Sequence, residues 1–234
     1  MSVDSGRGPS PALLSMTWED VLFAHWPVDA ERVAATLPDG LSVDTYDGDA
    51  YLGVVAFVMD AIGPRGLPVG LSFAELNLRT YVRGADGGRG VYFYNLDADD
   101  RVGVALARRL FRLPYYRAEM TVERDGEVRF RSRRAGDGSA AFDATYAPAG
   151  PASAADPGSR PHFLTERYRF YTASDGGRLY RGDVAHEPWP LAEATAEFGR
   201  NDLFAVNGFD DPEGDPLLHY APRIDVTAGR LRRA

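Results

Sequence analysis

Phe73-Ala74-Glu75-Leu76-Asn77-Leu78-Arg79-Thr80-Tyr81-Val82-Arg83 alternates without a break. Successive side chains of a strand point to opposite sides. Ala74, Leu76, Leu78, Thr80 and Val82 therefore share one face, and Phe73, Glu75, Asn77, Arg79, Tyr81 and Arg83 share the other. The first face is apolar, and the second carries a carboxylate, an amide and a guanidinium in a row. Such a strand lines a polar cavity or turns a wet face to solvent, and the alternation fits both.

The flanking sequence extends this reading. Asp86-Gly87-Gly88 breaks the strand and Val91–Leu96 resumes it. Upstream, Trp18–Pro27 has strand-like content. Asp29 reads as the N-cap of a short helix that carries Val33 and Leu37 and ends at Pro38. Asp47-Gly48 predicts a tight hairpin between Val43–Tyr46 and Tyr51–Met59. Downstream, Asp99 or Asp100 can cap a helix through Phe111, with Val102, Ala105, Leu106 and Leu110 facing the core. Tyr115–Arg124 and Glu127–Arg133 form a hairpin around Asp125-Gly126, and Ala141–Ala147 is a further strand. Residues 148–160 read as a loop. Arg167–Thr172 and Arg178–Asp183 flank Asp175-Gly176-Gly177, Leu191–Phe198 predicts a short helix, and Ile224–Val226 a last strand. Many short strands with few helices imply a mostly β protein, an antiparallel barrel or sandwich. Residues 1–15 read as a flexible N-terminal tail and 16–234 as one domain.

Composition excludes several functions. Hydrophobic residues make up 44% and aromatic residues 12% of the chain, as in a folded globule. The longest apolar run, Leu52–Met59, is too short to cross a bilayer as a helix, and Met1–Ser10 lacks the apolar core of a signal peptide. There is no cysteine, hence no disulfide, thiolate catalysis or cysteine-ligated metal. This agrees with a cytoplasmic location. The four histidines, His25, His162, His186 and His219, show no metal-ligand spacing, so neither a metal nor a cofactor is expected. A net charge of -8 disfavours nucleic-acid binding. Arg129, Arg131, Arg133 and Arg134 read as one solvated strand face. All 26 basic residues are arginine; the lysine-free, acidic balance fits a GC-rich or salt-loving host.

Chemistry concentrates in a few places. Arg79 can hold a carboxylate through paired N–H donors, and Glu75 can act as acid or base if burial raises its pKa. Asn77 and Tyr81 share their face. Tyr92, Tyr94 and Trp189 are candidate walls. His186 stands in His186-Glu187-Pro188-Trp189-Pro190, as a proton shuttle or as a packed turn histidine. Thr165-Glu166-Arg167-Tyr168 can be structural, with Arg167 paired to a neighbouring carboxylate.

Ala107-Arg108-Arg109-Leu110-Phe111-Arg112-Leu113-Pro114-Tyr115-Tyr116-Arg117-Ala118 resembles the catalytic-lysine motif of acetoacetate decarboxylases. In that family a lysine at the position of Tyr115 forms a Schiff base with a β-keto acid. Six blocks resemble the YqjF-like family DUF2071 and fall in the order that family expects: His25-Trp26-Pro27, Phe73–Val82, Gly90–Asp97, Ala107–Tyr115, Phe163–Tyr168 and His186–Leu191, which together cover about residues 17–227. The resemblance implies an acetoacetate decarboxylase-like fold, a cone-shaped, incompletely closed antiparallel β-barrel with a central cavity. It places Glu75 near a strand-borne glutamate of the decarboxylase pocket and Arg108 at a motif arginine. It brings no biochemical activity with it.

A phenol forms no imine, so Schiff-base decarboxylation is not expected. Tyr115 offers a hydroxyl that stays protonated near neutral pH and polarises a carbonyl rather than attacking it. The expected function is binding of a small anionic or carbonyl-bearing molecule. Arg79 is its clamp; Asn77, Tyr81, Tyr92, Tyr94, Arg108, His186 and Trp189 are further contacts. A lysine-independent enzyme acting on a keto acid through Glu75 and Tyr115, and an interaction domain without a ligand, are the alternatives.

Overall fold

Every strand is hydrogen-bonded into one continuous sheet, and the sheet closes on itself twice. The computed structural model describes residues 12–67, 70–100, 111–134, 136, 139–174 and 176–234. Its strands are β1 (Leu14–Val28), β2 (Leu41–Val43), β3 (Ala50–Pro64), β4 (Leu71–Gly84), β5 (Arg89–Ala98), β6 (Tyr115–Asp125), β7 (Glu127–Arg134), β8 (Ala140–Pro148), β9 (Arg169–Ala173), β10 (Leu179–Ala185), β11 (Ala192–Asn201), β12 (Leu217–Ala228) and β13 (Arg232–Arg233). Short helices span Ala30–Ala34 (α1), Arg160–Thr165 (α2) and Leu203–Val206 (α3). β12-β1-β3-β4-β5 form a shared wall. From β5, the path β6-β7-β8-β11 returns to β12 and closes a nine-stranded barrel. The path β9-β10 also returns to β12, on the other side of the wall. Each closure on β12 rests on only two residue pairs, Ala192↔Tyr220 and Glu193↔His219 for β11, Val184↔Ala228 and Ala185↔Thr227 for β10. The barrel is mostly antiparallel; β5 meets β6 and β9 in parallel.

The wall is buried on both faces. Leu22, Ala24, Trp26, Leu52, Val54, Leu76 and Leu78 pack against Phe130, Phe142 and Tyr146 of the long path and Phe204 of α3. This apolar core fills the nine-stranded barrel. Val21, Phe23, Val55, Phe57 and Phe73 face the other way. Glu75, Asn77 and Arg79 point with them and are only 3%, 3% and 8% exposed. The row is therefore interior, and the wet-face alternative is wrong.

Three β-bulges keep that inner face continuous. Each adds one residue and shifts the alternation by one. In β1 the extra residue falls between Glu19 and Leu22, so Met16 and Trp18 before it face the same side as Val21 and Phe23 after it. Asp20 there has φ 52°. Its carboxylate accepts from Arg124 Nε at 2.5 Å and Tyr220 Oη at 2.6 Å, and its carbonyl from Tyr146 Oη at 2.7 Å. In β3 the bulge lies between Met59 and Ile62, with Ala61 at φ 50°. In β5 Tyr94 is the extra residue. Alternation counted along the sequence cannot show these shifts.

Several expectations need correction. Leu191–Phe198 is not helical; Ala192–Asn201 is β11, paired from Ala194↔Pro148 to Asn201↔Phe142. Its exposure alternates with period two, and the sheet edge of β8 overrides local helix preference. The Asp47-Gly48 turn exists, with φ 52° and 97°, but closes only the bridge Tyr46↔Asp49. β2 pairs instead with β4, Leu41↔Gly84. β1 begins at Leu14, inside the span expected to be tail. β12 is much longer than Ile224–Val226. Helix α2, capped by Ser159, was not foreseen beyond the loop. The helix expected from Asp99 to Phe111 falls mainly on 101–110, outside the described residues. Arg129 and Arg133 are exposed as expected. Arg134 faces the other side and is buried, with Nη2 2.5 Å and Nε 3.1 Å from the two Asp97 carboxylate oxygens.

Asp44 ties the end of the wall to α2. Its 1% exposed carboxylate receives Arg83 Nε at 2.8 Å, Arg89 Nε at 2.7 Å and the buried Arg167 Nη1 at 2.7 Å. Burial pushes its pKa up, but hydrogen bonds from Arg89 and Arg167 more than reverse this and hold it below the ordinary value. Removing it strands the buried Arg167 charge. Asp44→Asn should cost about 3–5 kcal/mol in chemical denaturation, while Asp210→Asn, partner of Arg32 on the surface, should cost less than about 1 kcal/mol. Equal, small losses for both would contradict the assignment of Asp44 as an anchor.

Candidate functional site

The short path leaves space against the inner face of the wall. A cavity of about 630 Å³ lies there, lined mainly by apolar side chains of β1, β3, β4 and β5, with Tyr115, residues around α2 and β9, and His186 and Trp189 completing it. Glu75, Asn77 and Arg79 form a polar row along it, and Tyr115, Thr165, Arg167, Arg169 and His186 are its other polar lining residues.

Glu75 and Tyr115 form a dyad. Tyr115 opens β6, where it pairs with Leu96 of β5, and Leu96 in turn pairs with Asn77. Ala98 stands opposite Glu75 and is small enough for the tyrosine ring to lean across. Tyr115 Oη donates to Glu75 Oε2 at 2.6 Å, and Asn77 Nδ2 reaches Oε1 at 3.4 Å. Burial raises the Glu75 pKa from 4.5 to about 7, against the opposing pull of these two hydrogen bonds. Burial, and then the adjacent Glu75, push the Tyr115 phenol well above its ordinary value. Tyr115 is therefore a donor, and Glu75 titrates near neutrality.

Arg79 lies farther along the strand. Nη2 donates to Leu164 O at 3.3 Å and reaches Tyr81 Oη at 3.5 Å, while the guanidinium sits over Phe23, 5.4 Å from the ring centroid. Among the described residues no carboxylate pairs with it, and its Nε has no hydrogen-bond partner. Asn77 Oδ1 and Trp189 Nε1 are likewise buried without partners. Arg167, across the Tyr81 ring at 5.0 Å, adds a second guanidinium to the lining. Sequence reasoning took it as structural, and its Asp44 contact is so; its place on the cavity had no signal in the sequence.

The remaining candidates divide. His186 lines the cavity, its Nδ1 donating to Glu187 O at 2.7 Å and its ring stacked on Tyr168 at 4.6 Å. Burial lowers its pKa, against the opposing pull of hydrogen bonds to the Glu187 and Arg167 backbone. Trp189 lines it as well. Tyr81 does not: its hydroxyl is turned to Leu164 O at 2.8 Å and His25 Nε2 at 2.6 Å, where it braces Arg79 from behind. Gly53 makes room for this packing, since a Cβ there would stand 2.8 Å from the His25 ring. Tyr92 and Tyr94 are not walls either. Val91, Phe93 and Leu96 face the cavity, and Tyr94 packs on Phe209 and bonds Thr36 Oγ1 at 2.7 Å. Arg108 lies outside the described residues. Among the described residues no cluster has the make-up of a metal site, and no helix is long and apolar enough to cross a membrane.

Solved structures share this architecture. Acetoacetate decarboxylase from Legionella pneumophila superposes with a TM-score of 0.66 at 13% identity, over 100% of this chain and 93% of the other. An acetoacetate decarboxylase-like enzyme from Sphingomonas wittichii RW1 gives 0.63 at 18% identity, over 95% and 93%. The enduracididine biosynthesis enzyme MppR complexed with pyruvate gives 0.64 at 14% identity, over 98% and 93%. At these identities the likeness establishes the fold. In sequence, the chain is 44% identical over 225 residues to the uncharacterized protein YqjF of Bacillus subtilis, covering 94% of this chain and 92% of that one. A family model described as an uncharacterized conserved protein, DUF2071, matches residues 15–225. The decarboxylase-like barrel, with a tyrosine where the motif has its lysine, is thus carried by a chain that belongs to the DUF2071, YqjF-like family.

Proposed function

We propose that this protein binds a small anionic or carbonyl-bearing molecule in the cavity, without amine chemistry. The observation that carries the reading is Arg79: a buried guanidinium on the cavity wall with no carboxylate partner among the described residues and an unsatisfied N–H. A buried cation is costly unless an anion meets it, and a ligand carboxylate is the partner this position lacks. The open volume speaks against a purely structural barrel. Pyruvate in the solved MppR complex is both an anion and a carbonyl compound; the present cavity offers such a molecule guanidinium and phenol groups but no lysine.

A second reading, catalysis, is favoured by the dyad. With Glu75 ionised, Tyr115 spends its proton on the carboxylate. Protonation of Glu75 lets the acid donate to the phenol oxygen instead, and the Tyr115 proton can then point to a ligand carbonyl. A group titrating near neutral pH beside a polarised carbonyl suits enolisation, hydration or dehydration of a keto acid.

Three measurements test these readings. In a thermal-shift screen of small carboxylates, wild type should be stabilised and Arg79→Ala should lose about 1.5–3 kcal/mol of ligand affinity; equal stabilisation of both would remove the clamp. Incubation with acetoacetate and borohydride should leave the cavity residues unmodified, whereas a stoichiometric reduced adduct mapped to the barrel would contradict the reading. The third concerns Glu75. Its folded pKa is raised, so its contribution to stability is fully present below pH 4.5 and is lost as pH rises through about 7. Wild type should lose roughly 2.5 kcal/mol relative to Glu75→Gln between pH 5 and pH 8. A constant gap between the two proteins would show that Glu75 does not titrate there.

A further inference from the structure

The polar groups of the cavity are spread along it rather than gathered at one point. The cavity follows β4 from Leu71, which pairs with Ile62, to Arg79, which pairs with Phe93. At about 3.3 Å per residue this is about 26 Å, of which Glu75 to Arg79 is about 13 Å. The side chains do not close that gap. Arg79 leans away from Glu75, onto Tyr81 Oη and Leu164 O. Glu75 is held from across β5 by Tyr115. The guanidinium and the dyad are thus on the order of 10 Å apart. Asn77 lies between them with its Oδ1 unpartnered.

Beyond Glu75 the wall turns apolar, with Phe73, Leu71, Met59, Ile62 and Met16. The volume, about 630 Å³, corresponds to about 20 waters at about 30 Å³ each. An α- or β-keto acid places its carbonyl one or two carbons from its carboxylate. It cannot meet Arg79 and Tyr115 together, and it would leave most of the apolar wall wet.

We infer that the ligand is an elongated, amphipathic carboxylate. Its anionic head lies on Arg79, an oxygen function several carbons away lies at Tyr115 and Glu75, and an apolar tail or ring continues past Phe73 towards Leu71. This rests on the anion-binding reading of Arg79 and adds the length and polarity of what binds.

Titration calorimetry with acetoacetate, decanoate and 1-decanol separates the two claims. Decanoate should bind wild type at least tenfold more tightly than either of the others. Arg79→Gln should bring decanoate down to the level of 1-decanol. Phe73→Asp, which puts a charge in the apolar end, should weaken decanoate at least tenfold and leave acetoacetate unchanged. If acetoacetate binds as tightly as decanoate, and both are lost in Arg79→Gln, the elongated ligand is wrong and the anion site stands. If decanoate binds wild type no better than 1-decanol, the anion site itself falls. Should Phe73→Asp not fold, the comparison of ligands on wild type and Arg79→Gln decides alone.

Discussion

The structure depends on a polar row buried in the middle of a wall with two interior faces. Leu76 and Leu78 must point into the packed core of the nine-stranded barrel. Alternation then forces Glu75, Asn77 and Arg79 inward on the other side. A carboxyl, an amide and a guanidinium taken out of water cost several kcal/mol unless each finds a partner. Glu75 meets this by a pKa raised to about 7 and by the Tyr115 phenol. Arg79 meets it only in part, through a carbonyl, a phenol and the face of Phe23. The opposite buried pair, Asp97 with Arg134, shows what full satisfaction looks like in the same molecule: two donors on two acceptors. Unlike Arg134 and Arg167, Arg79 has no carboxylate partner among the described residues.

Much of this was legible in the sequence. Period-two alternation identified β4, its polar face and the mostly β class, and Asp-Gly pairs marked the turn of the β6–β7 hairpin. What alternation cannot see is a bulge. The extra residue at Asp20 puts both Trp18 and Phe23 on the cavity, and the extra residue at Tyr94 leaves Val91, Phe93 and Leu96 there while Tyr94 turns to Phe209. The candidate walls Tyr92 and Tyr94 therefore do not line the cavity. Leu191–Phe198 reads as a helix in isolation, and pairing with β8 makes this segment a strand. Likewise no local signal joins Asp44 to Arg167, which are 123 residues apart.

The chain has no lysine, so the cavity holds no side-chain amine. An amine in this position would need a depressed pKa to attack a carbonyl. A phenol beside Glu75 is pushed the other way and keeps its proton. A phenol donor beside a carboxyl titrating near neutrality is the feature on which the catalytic reading rests. The Glu75–Tyr115 hydrogen bond and the brace of His25 and Tyr81 behind Arg79 fix the two ends of this arrangement independently.

A crystal structure of the protein grown with decanoate tests the central claim most directly. The ligand carboxylate is expected within hydrogen-bond distance of the Arg79 guanidinium, with the chain running past Asn77 and Glu75 towards Phe73. Arg79 paired with a carboxylate of the protein itself, or decanoate bound with its head away from Arg79, would contradict it.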